Sequence, residues 1–169
     1  MTAEQVIGIL FNNAIKNETK NLIIFIGLGS LFALVGLLSA IKTRKSGANF
    51  YETKEGIRSH FIAFLFTFII GISVITGGIL YYFPRRNSMV EARNTNNYTV
   101  EYLLLEDKIY SSSHTTNHTY RSYKAVFEGR TIQLKGQDYS YLTTGETYAV
   151  LFVPSRDNDI YIGIIGTVN

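Results

Sequence analysis

The run from His60 to Phe83, HFIAFLFTFIIGISVITGGILYYF, limits what this chain can fold into more than any other feature. No Asp, Glu, Lys or Arg occurs between Phe61 and Phe83. The hydrocarbon core of a bilayer is ~30 Å thick, and a helix needs ~20 predominantly apolar residues to cross it. The run reaches that length with allowance for tilt. Asn21 to Ile41, NLIIFIGLGSLFALVGLLSAI, is a second uncharged run of similar kind. Small residues at Ser39 and Ala40 raise the alternative of a cleaved signal peptide. Lys42, Arg44 and Lys45 follow at once, however, and form a stop-transfer pattern that favours a retained helix. The expected membrane part is therefore a hairpin over 21–83, with helices at 21–41 and 60–83 and a basic loop at 42–59.

Each helix carries a stripe of small residues. Gly29, Ala33, Gly36 and Ala40 mark the first, and Ala63, Thr67, Gly71 and Gly78 the second, with Val74 between them. In lipid, helices associate through close backbone approach and van der Waals packing, which small residues permit. The stripes are expected to face each other in an antiparallel pair. A homo-oligomer or another protein's helix is the alternative occupant. Neither helix interior holds the intramembrane charge that marks a proton or ion path, which argues against a pump or transporter acting alone.

The charge excess, 16 basic against 13 acidic residues, sits near these helices. After position 84 the two signs balance, so membrane flanks account for the high isoelectric point and no nucleic-acid partner is expected. Five basic residues, Lys42, Arg44, Lys45, Lys54 and Arg58, fall in the connecting loop. The positive-inside rule places that loop in the cytoplasm and both termini outside. Lys16, Lys20, Arg85, Arg86 and Arg93 flank the opposite face and pull the other way. Tyr81, Tyr82 and Phe83 then form an interfacial aromatic belt, and Pro84 is expected to help end the helix.

Residues 1–20 form an amphipathic N-terminal segment. Thr2 and Gln5 fit a capping box, and Val6, Ile7, Leu10, Phe11, Ala14 and Ile15 share a helical face. It reads either as an interfacial helix lying on the bilayer or as an extension of the first spanning helix.

Residues 84–97 are polar and read as a linker or a trailing helix end. From residue 98 the hydrophobic period changes to two. Runs of strand type fall at 98–104, 120–127, 130–135, 139–142, 146–153 and 160–165, punctuated by Glu128-Gly129, Gly136 and Gly145. The expectation for 98–169 is a small antiparallel β-barrel or sandwich of five to six strands, because closure removes exposed strand edges. Phe127, Leu134, Tyr148, Val150, Phe152, Ile160, Ile162 and Ile164 are its candidate core. With ~70 residues such a core is near the lower limit for independent folding. Support from the membrane, the N-terminal helix or a partner is expected.

Gly145-Glu-Thr-Tyr-Ala-Val-Leu-Phe-Val-Pro154 and Tyr123-Lys-Ala-Val-Phe-Glu-Gly129 carry a resemblance. Over residues 98–165 the chain resembles a group of uncharacterised bacterial membrane proteins. Their small β-domain has a "G-x-x-V-x-V-x-Y-x-P" strand after a "Y-x-x-V-x-F-x-x-G" strand. The resemblance implies a domain at the membrane surface and carries over no catalytic residues. In that group the β-domain often lies between two helices, whereas here both helices precede it.

No catalytic motif stands out. Gly27-Leu-Gly29 lies inside an apolar helix and follows no strand, so it is no nucleotide loop. His114 and His118 would share a face on a helix, but the Ser/Thr/Asn-rich stretch around them reads as a hairpin loop. Asp138, Glu146, Asp157 and Asp159 read as solvated turn residues. The Asn97 and Asn117 glycosylation patterns fall in short Asn/Thr-rich stretches that generate such matches readily. No cysteine is present, so disulfides and thiol chemistry are excluded.

Tyrosine is the excess that remains, with 12 in the chain. Tyr98, Tyr102, Tyr120, Tyr123, Tyr139 and Tyr141 are the candidate partner surface, since tyrosine pairs a large contact area with a polar tip. The sequence therefore points to a multi-pass cell-membrane protein of two helices, without enzyme activity or cofactor. It would present an extracytoplasmic β-domain to a membrane or envelope protein, as an assembly subunit or immunity-type factor. A ligand-sensing or accessory subunit of a transporter complex is the alternative, and a hydrolase is a third reading without a constellation to support it.

Overall fold

The computed structural model describes residues 1–46, 54–115, 118–155 and 158–168, and the side chains of 43–60 are not among those described. Of the expected loop 42–59, the ends belong to helices and 47–53 lies outside the described residues. So do Asn117, Asp157 and the side chain of His60. The element order is α1 (Ala3–Ser46), α2 (Lys54–Thr95), β1 (Thr99–His114), β2 (Thr119–Phe127), β3 (Arg130–Leu134), α3 (Gly136–Tyr141), β4 (Thr147–Val153) and β5 (Ile160–Val168). The chain divides into two compact units, one of residues 15–87 and one of residues 1–14 with 88–169.

In the helical unit, α1 and α2 are each long and apolar enough to cross a membrane. They run antiparallel: Phe25 meets Gly78, Gly29 meets Gly71 and Ile75, and Gly36 meets Phe64 and Phe68. The approach is backbone to backbone. A Cβ added at Gly71 would fall 2.5 Å from the Ala33 nitrogen and 2.6 Å from the Gly29 oxygen. One added at Gly36 would fall 2.6 Å from the Phe68 nitrogen. Gly29, Gly36, Gly71 and Gly78 are buried, Ala33, Ala40 and Thr67 half-buried, and Ala63 exposed. The Thr67 hydroxyl donates to the Ala63 carbonyl at 3.1 Å, which satisfies it within its own helix. At the other end of this unit Arg85 Nε lies 3.4 Å from Glu18 Oε1, and Arg86 Nε donates to Thr19 Oγ1 at 3.0 Å.

Pro84 does not end its helix. It lies inside α2, which continues to Thr95. The missing N–H and the ring's clash with the preceding turn cost one helical bond. The turns beyond are held by Arg85 and Arg86 and, further on, by Met89 and Ala92, which are 2% and 3% exposed. The actual stop is a left-handed cap. Asn96 takes φ 54°, and the Asn97 amide reaches back to the Ala92 carbonyl at 3.0 Å. This six-to-one bond is a Schellman closure with Asn in the place glycine usually fills.

The second unit is built on a five-stranded antiparallel sheet in the order β3-β2-β1-β4-β5. The expected closure is not formed: β3 and β5 are the two ends of an open sheet. One sheet face carries Leu103, Leu105, Ala125, Phe127, Ile132, Leu134, Tyr148, Val150 and Phe152, covered by Leu142 and by Tyr139 of α3. The expected strand at 139–142 is thus a short helix followed by a buried plug. Tyr139 and Leu142 are three apart and both meet the core, a helical spacing that alternation does not deliver.

Strand β4 is buried on both faces, because Ala149, Leu151 and Val153 are buried as fully as Tyr148, Val150 and Phe152. The second face is met by the start of α1, which together with the end of α2 belongs to this unit. Phe11 is 1% exposed and packs its ring 5.6 Å from Tyr98. Leu10 presses against β5 so closely that a Cβ on Gly163 would fall 2.7 Å from its Cδ2. Asn12 accepts from Arg93 at 2.7 Å. The N-terminal residues are one continuous helix with α1, and their apolar face is covered by this unit's own sheet and helix end. The capping box forms, with the Thr2 amide donating to Gln5 Oε1 at 3.0 Å and the Gln5 amide donating to Thr2 Oγ1 at 3.3 Å.

Candidate interaction surface

Strand β1 is long enough to serve two neighbours in turn. Thr99–Leu104 pair with β4, and Leu105–His114 pair with β2. Between them the register slips by one residue, after Leu105 and before Asp107. The bulge inverts the alternation, so Leu103 and Leu105 share a face with Lys108 and Tyr110 rather than with Asp107 and Ile109. The β2–β3 turn is tied to this bulge. Glu128 and Gly129 take φ 45° and 77°, as a two-residue type I′ connection requires. The Gly129 amide donates to Glu106 Oε2 at 2.9 Å, and the Leu104 amide donates to Glu128 Oε1 at 3.3 Å.

Beyond Tyr110 the sheet narrows to two strands. Ser111–His114 pair with Thr119–Ser122, while β3 joins only from Tyr123 onward and β4 ends opposite Thr99–Leu104. This ribbon buries no residue; all its side chains are exposed except a half-buried Ser122. An isolated two-stranded hairpin is marginal in water, so cross-strand pairs have to hold it. His114 Nδ1 and Thr119 Oγ1 are 3.0 Å apart, and Thr115 and His118 exchange two backbone hydrogen bonds of 2.9 and 3.3 Å across the turn. Ser122 and Gln133 hydrogen-bond at its base. Within this ribbon both outer backbone edges are unpaired among the described residues, which suits addition of a further strand.

An aromatic run joins the ribbon to the core. The Tyr110 and Tyr123 rings lie 5.3 Å apart, and Tyr123 and Tyr139 5.2 Å apart. Lys108 Nζ sits 4.4 Å over the Tyr139 ring and donates to the Leu142 carbonyl at 2.7 Å. Gly136 lies close beside this stack, since a Cβ there would fall 3.0 Å from Tyr123 Cε2.

The six candidate tyrosines do not form one patch. Tyr123 and Tyr139 stack on the core-facing side and are half-buried. Tyr102 and Tyr120 lie on the opposite sheet face, 64% and 63% exposed, as do exposed Leu104 and Ile109. Tyr98 is engaged by Phe11, and Tyr141 projects from α3 at 83% exposure. Tyr110, outside the expected set, completes the stack. Its alternation was hidden by the bulge, which no residue type announces.

His114 and His118 lie on either side of the hairpin turn, with His114 in β1 and the His118 ring 6.4 Å from Tyr120. Among the described residues no three His, Asp or Glu side chains come together as metal ligands would. Two tyrosine hydroxyls are held away from solvent. Tyr148 Oη donates to Glu146 Oε2 at 2.8 Å and accepts from the Thr143 amide at 2.7 Å. Burial raises its pKa above the ordinary tyrosine value, with the Glu146 carboxylate adding to the shift. Tyr161 Oη is buried without a hydrogen-bond partner among the described residues. Burial raises its pKa further, and the nearby Asp138 charge acts in the same direction. Both hydroxyls stay protonated, which suits packing better than proton transfer near neutrality.

Comparisons of the chain with protein-family models, with curated proteins and with solved structures gave no match.

Proposed function

We propose that the protein is a non-catalytic, membrane-anchored interaction protein whose β-unit is offered to a membrane or envelope protein partner. The helical unit is its anchor, with the loop between the helices cytoplasmic and the β-unit extracytoplasmic. The observation that carries this reading is the exposed β1–β2 ribbon. It buries nothing for the fold, keeps its backbone edges open and displays Tyr120 and Arg121. A strand donated by the partner would satisfy the ribbon's unpaired amides and carbonyls, and Tyr120 would supply contact area.

The test uses the full chain in its native membrane, with a photoreactive phenylalanine analogue placed at Tyr120 or, for comparison, at Tyr141. A discrete cross-linked product from position 120 and none from 141 is the expected result. Equal yields from both positions, or none from either, would remove the ribbon from the interaction. Sidedness is read separately. Because the chain lacks cysteine, Ser112→Cys and Ser46→Cys give single reporters for a membrane-impermeant maleimide on intact cells. Labelling at 112 alone is expected; labelling at 46 alone would invert the topology and move the search to cytoplasmic partners.

A further inference from the structure

One end of the helical unit carries a cluster that hairpin packing alone does not call for. Lys16, Thr19, Lys20, Ile23 and Ile24 line an open depression of about 340 Å³. They follow the i, i+3, i+4, i+7, i+8 spacing of a single helical face. The wall is almost wholly apolar, so the lysines contribute their aliphatic stems to it, Lys20 standing one turn, about 6 Å, from Ile24. Lys16 and Lys20 are exposed and make no ion pair among the described residues. Ile23 and Ile24 are 63% and 43% exposed.

The surroundings add positive charge. Arg86 reaches the rim through its 3.0 Å hydrogen bond to Thr19 Oγ1, and the Thr19 hydroxyl donates in turn to the Ile15 carbonyl at 2.8 Å. That hydroxyl is therefore engaged, and the free donors are the two ammonium groups. Glu18, the carboxylate between them in sequence, pairs through Oε1 with Arg85 at 3.4 Å, and its Oε2 is buried without a hydrogen-bond partner among the described residues. Lys16, Lys20, Arg85 and Arg86 thus stand against one paired carboxylate, at the point where the apolar run begins.

We propose that this depression takes one acyl chain of an anionic phospholipid along Ile23 and Ile24, with the lipid's phosphate held by the exposed Lys16 and Lys20 at its rim. The proposal rests on reading residues 15–87 as membrane-spanning. Charge complementarity selects an anion, and the apolar floor selects one that carries hydrocarbon. A free phosphate would use the lysines and leave the isoleucines without a role.

The experiment is native mass spectrometry of the full chain in detergent micelles, titrated with phosphatidylglycerol, phosphatidylcholine or inorganic phosphate. Phosphatidylglycerol adducts are expected to dominate, and millimolar phosphate is expected not to displace them. Each basic residue near a membrane surface supports anionic lipid binding by about fivefold, so K16Q/K20Q should weaken phosphatidylglycerol binding about 25-fold. K16R/K20R should retain it, and K135Q, in the other unit, should leave it unchanged. Three results would overturn the proposal: a change below about twofold in K16Q/K20Q, equal binding of phosphatidylcholine, or displacement by inorganic phosphate. Carbonate extraction separates this failure from failure of the underlying reading. A chain released into the soluble fraction is not membrane-spanning, whereas a retained chain with unaltered K16Q/K20Q binding refutes the lipid site alone.

Discussion

The two units place their large apolar side chains in opposite ways. In the helical unit Leu80 is 71% exposed and Phe66 62%, while glycines occupy the interior contact. In the sheet unit Phe127, Leu105 and Val150 are fully buried. The first pattern suits a surrounding as apolar as the side chains themselves, where helix association depends on fit rather than on expulsion of water. The second is the ordinary consequence of folding in water. One chain thus applies two packing rules, and the rule changes within single helices: residues 3–14 of α1 and 88–95 of α2 belong to the sheet unit.

The contrast is broken most directly by paired truncations. Phe127→Ala should destabilise the sheet unit by about 3–5 kcal/mol, as expected for a buried aromatic. Phe66→Ala, in the helical unit, should change stability by less than about 0.5 kcal/mol. Denaturant titration of the full chain in micelles, followed by near-ultraviolet circular dichroism, checks both. A large loss at Phe66 would mean that its face is covered.

Glycine substitutions sharpen the other half. Gly71→Ala should cost about 1–3 kcal/mol, because its Cβ meets backbone atoms of Ala33 and Gly29 that cannot yield cheaply. Gly77→Ala has nothing within 4 Å and should be neutral or slightly stabilising. Energy transfer between probes on the two helices reports the separation directly.

Alkali should act on the sheet unit through its two buried hydroxyls. Tyr161 and Tyr148 both have a folded pKa raised above the ordinary value of 10.0. The unfolded chain therefore loses their protons first. Their contribution to stability is full below pH 10 and is lost as pH rises from there toward the folded values. Tyr161→Phe should flatten this alkaline limb in thermal melts between neutral pH and pH 11, with helical-unit signals unmoved. The smallest effect is expected at the Arg130–Glu101 pair, 2.9 Å apart but with the arginine side chain 57% exposed. Arg130→Ala should cost about 0.5 kcal/mol or less, and added salt should erase the difference.

What could be read from the residues alone follows the same division. The two uncharged runs declare their helices, because a charge-free apolar stretch of that length rarely folds as anything else. The Thr2/Gln5 cap and the Glu128-Gly129 turn were also legible, since each rests on local chemistry. The failures came where a distant partner decides. Pro84 normally stops a helix, yet α2 continues because later turns find contacts far along the chain. The apolar face around Phe11 reads equally as lipid-seeking, and the sheet that covers it begins some ninety residues later. Tyr139–Leu142 is too short for its period to be distinguished. The bulge after Leu105 turned Tyr110 to the core-facing side, while the odd spacing of Tyr120 and Tyr123 on β2 divides the candidate surface in any register. The ribbon was hidden for a different reason: Ser111–Ser113 and His114 look like a loop, and only their pairing with Thr119–Ser122 makes them strand.

That ribbon also bears on how the protein could diversify. A residue buried in the core is constrained by every neighbour it touches, so a new side chain there must be accommodated by others. Side chains on the ribbon answer to a cross-strand pair and little else within the fold. The sequence can therefore drift along Ser111–His114 and Thr119–Ser122 while the helices and the sheet are inherited unchanged, and related chains should differ most in this short span.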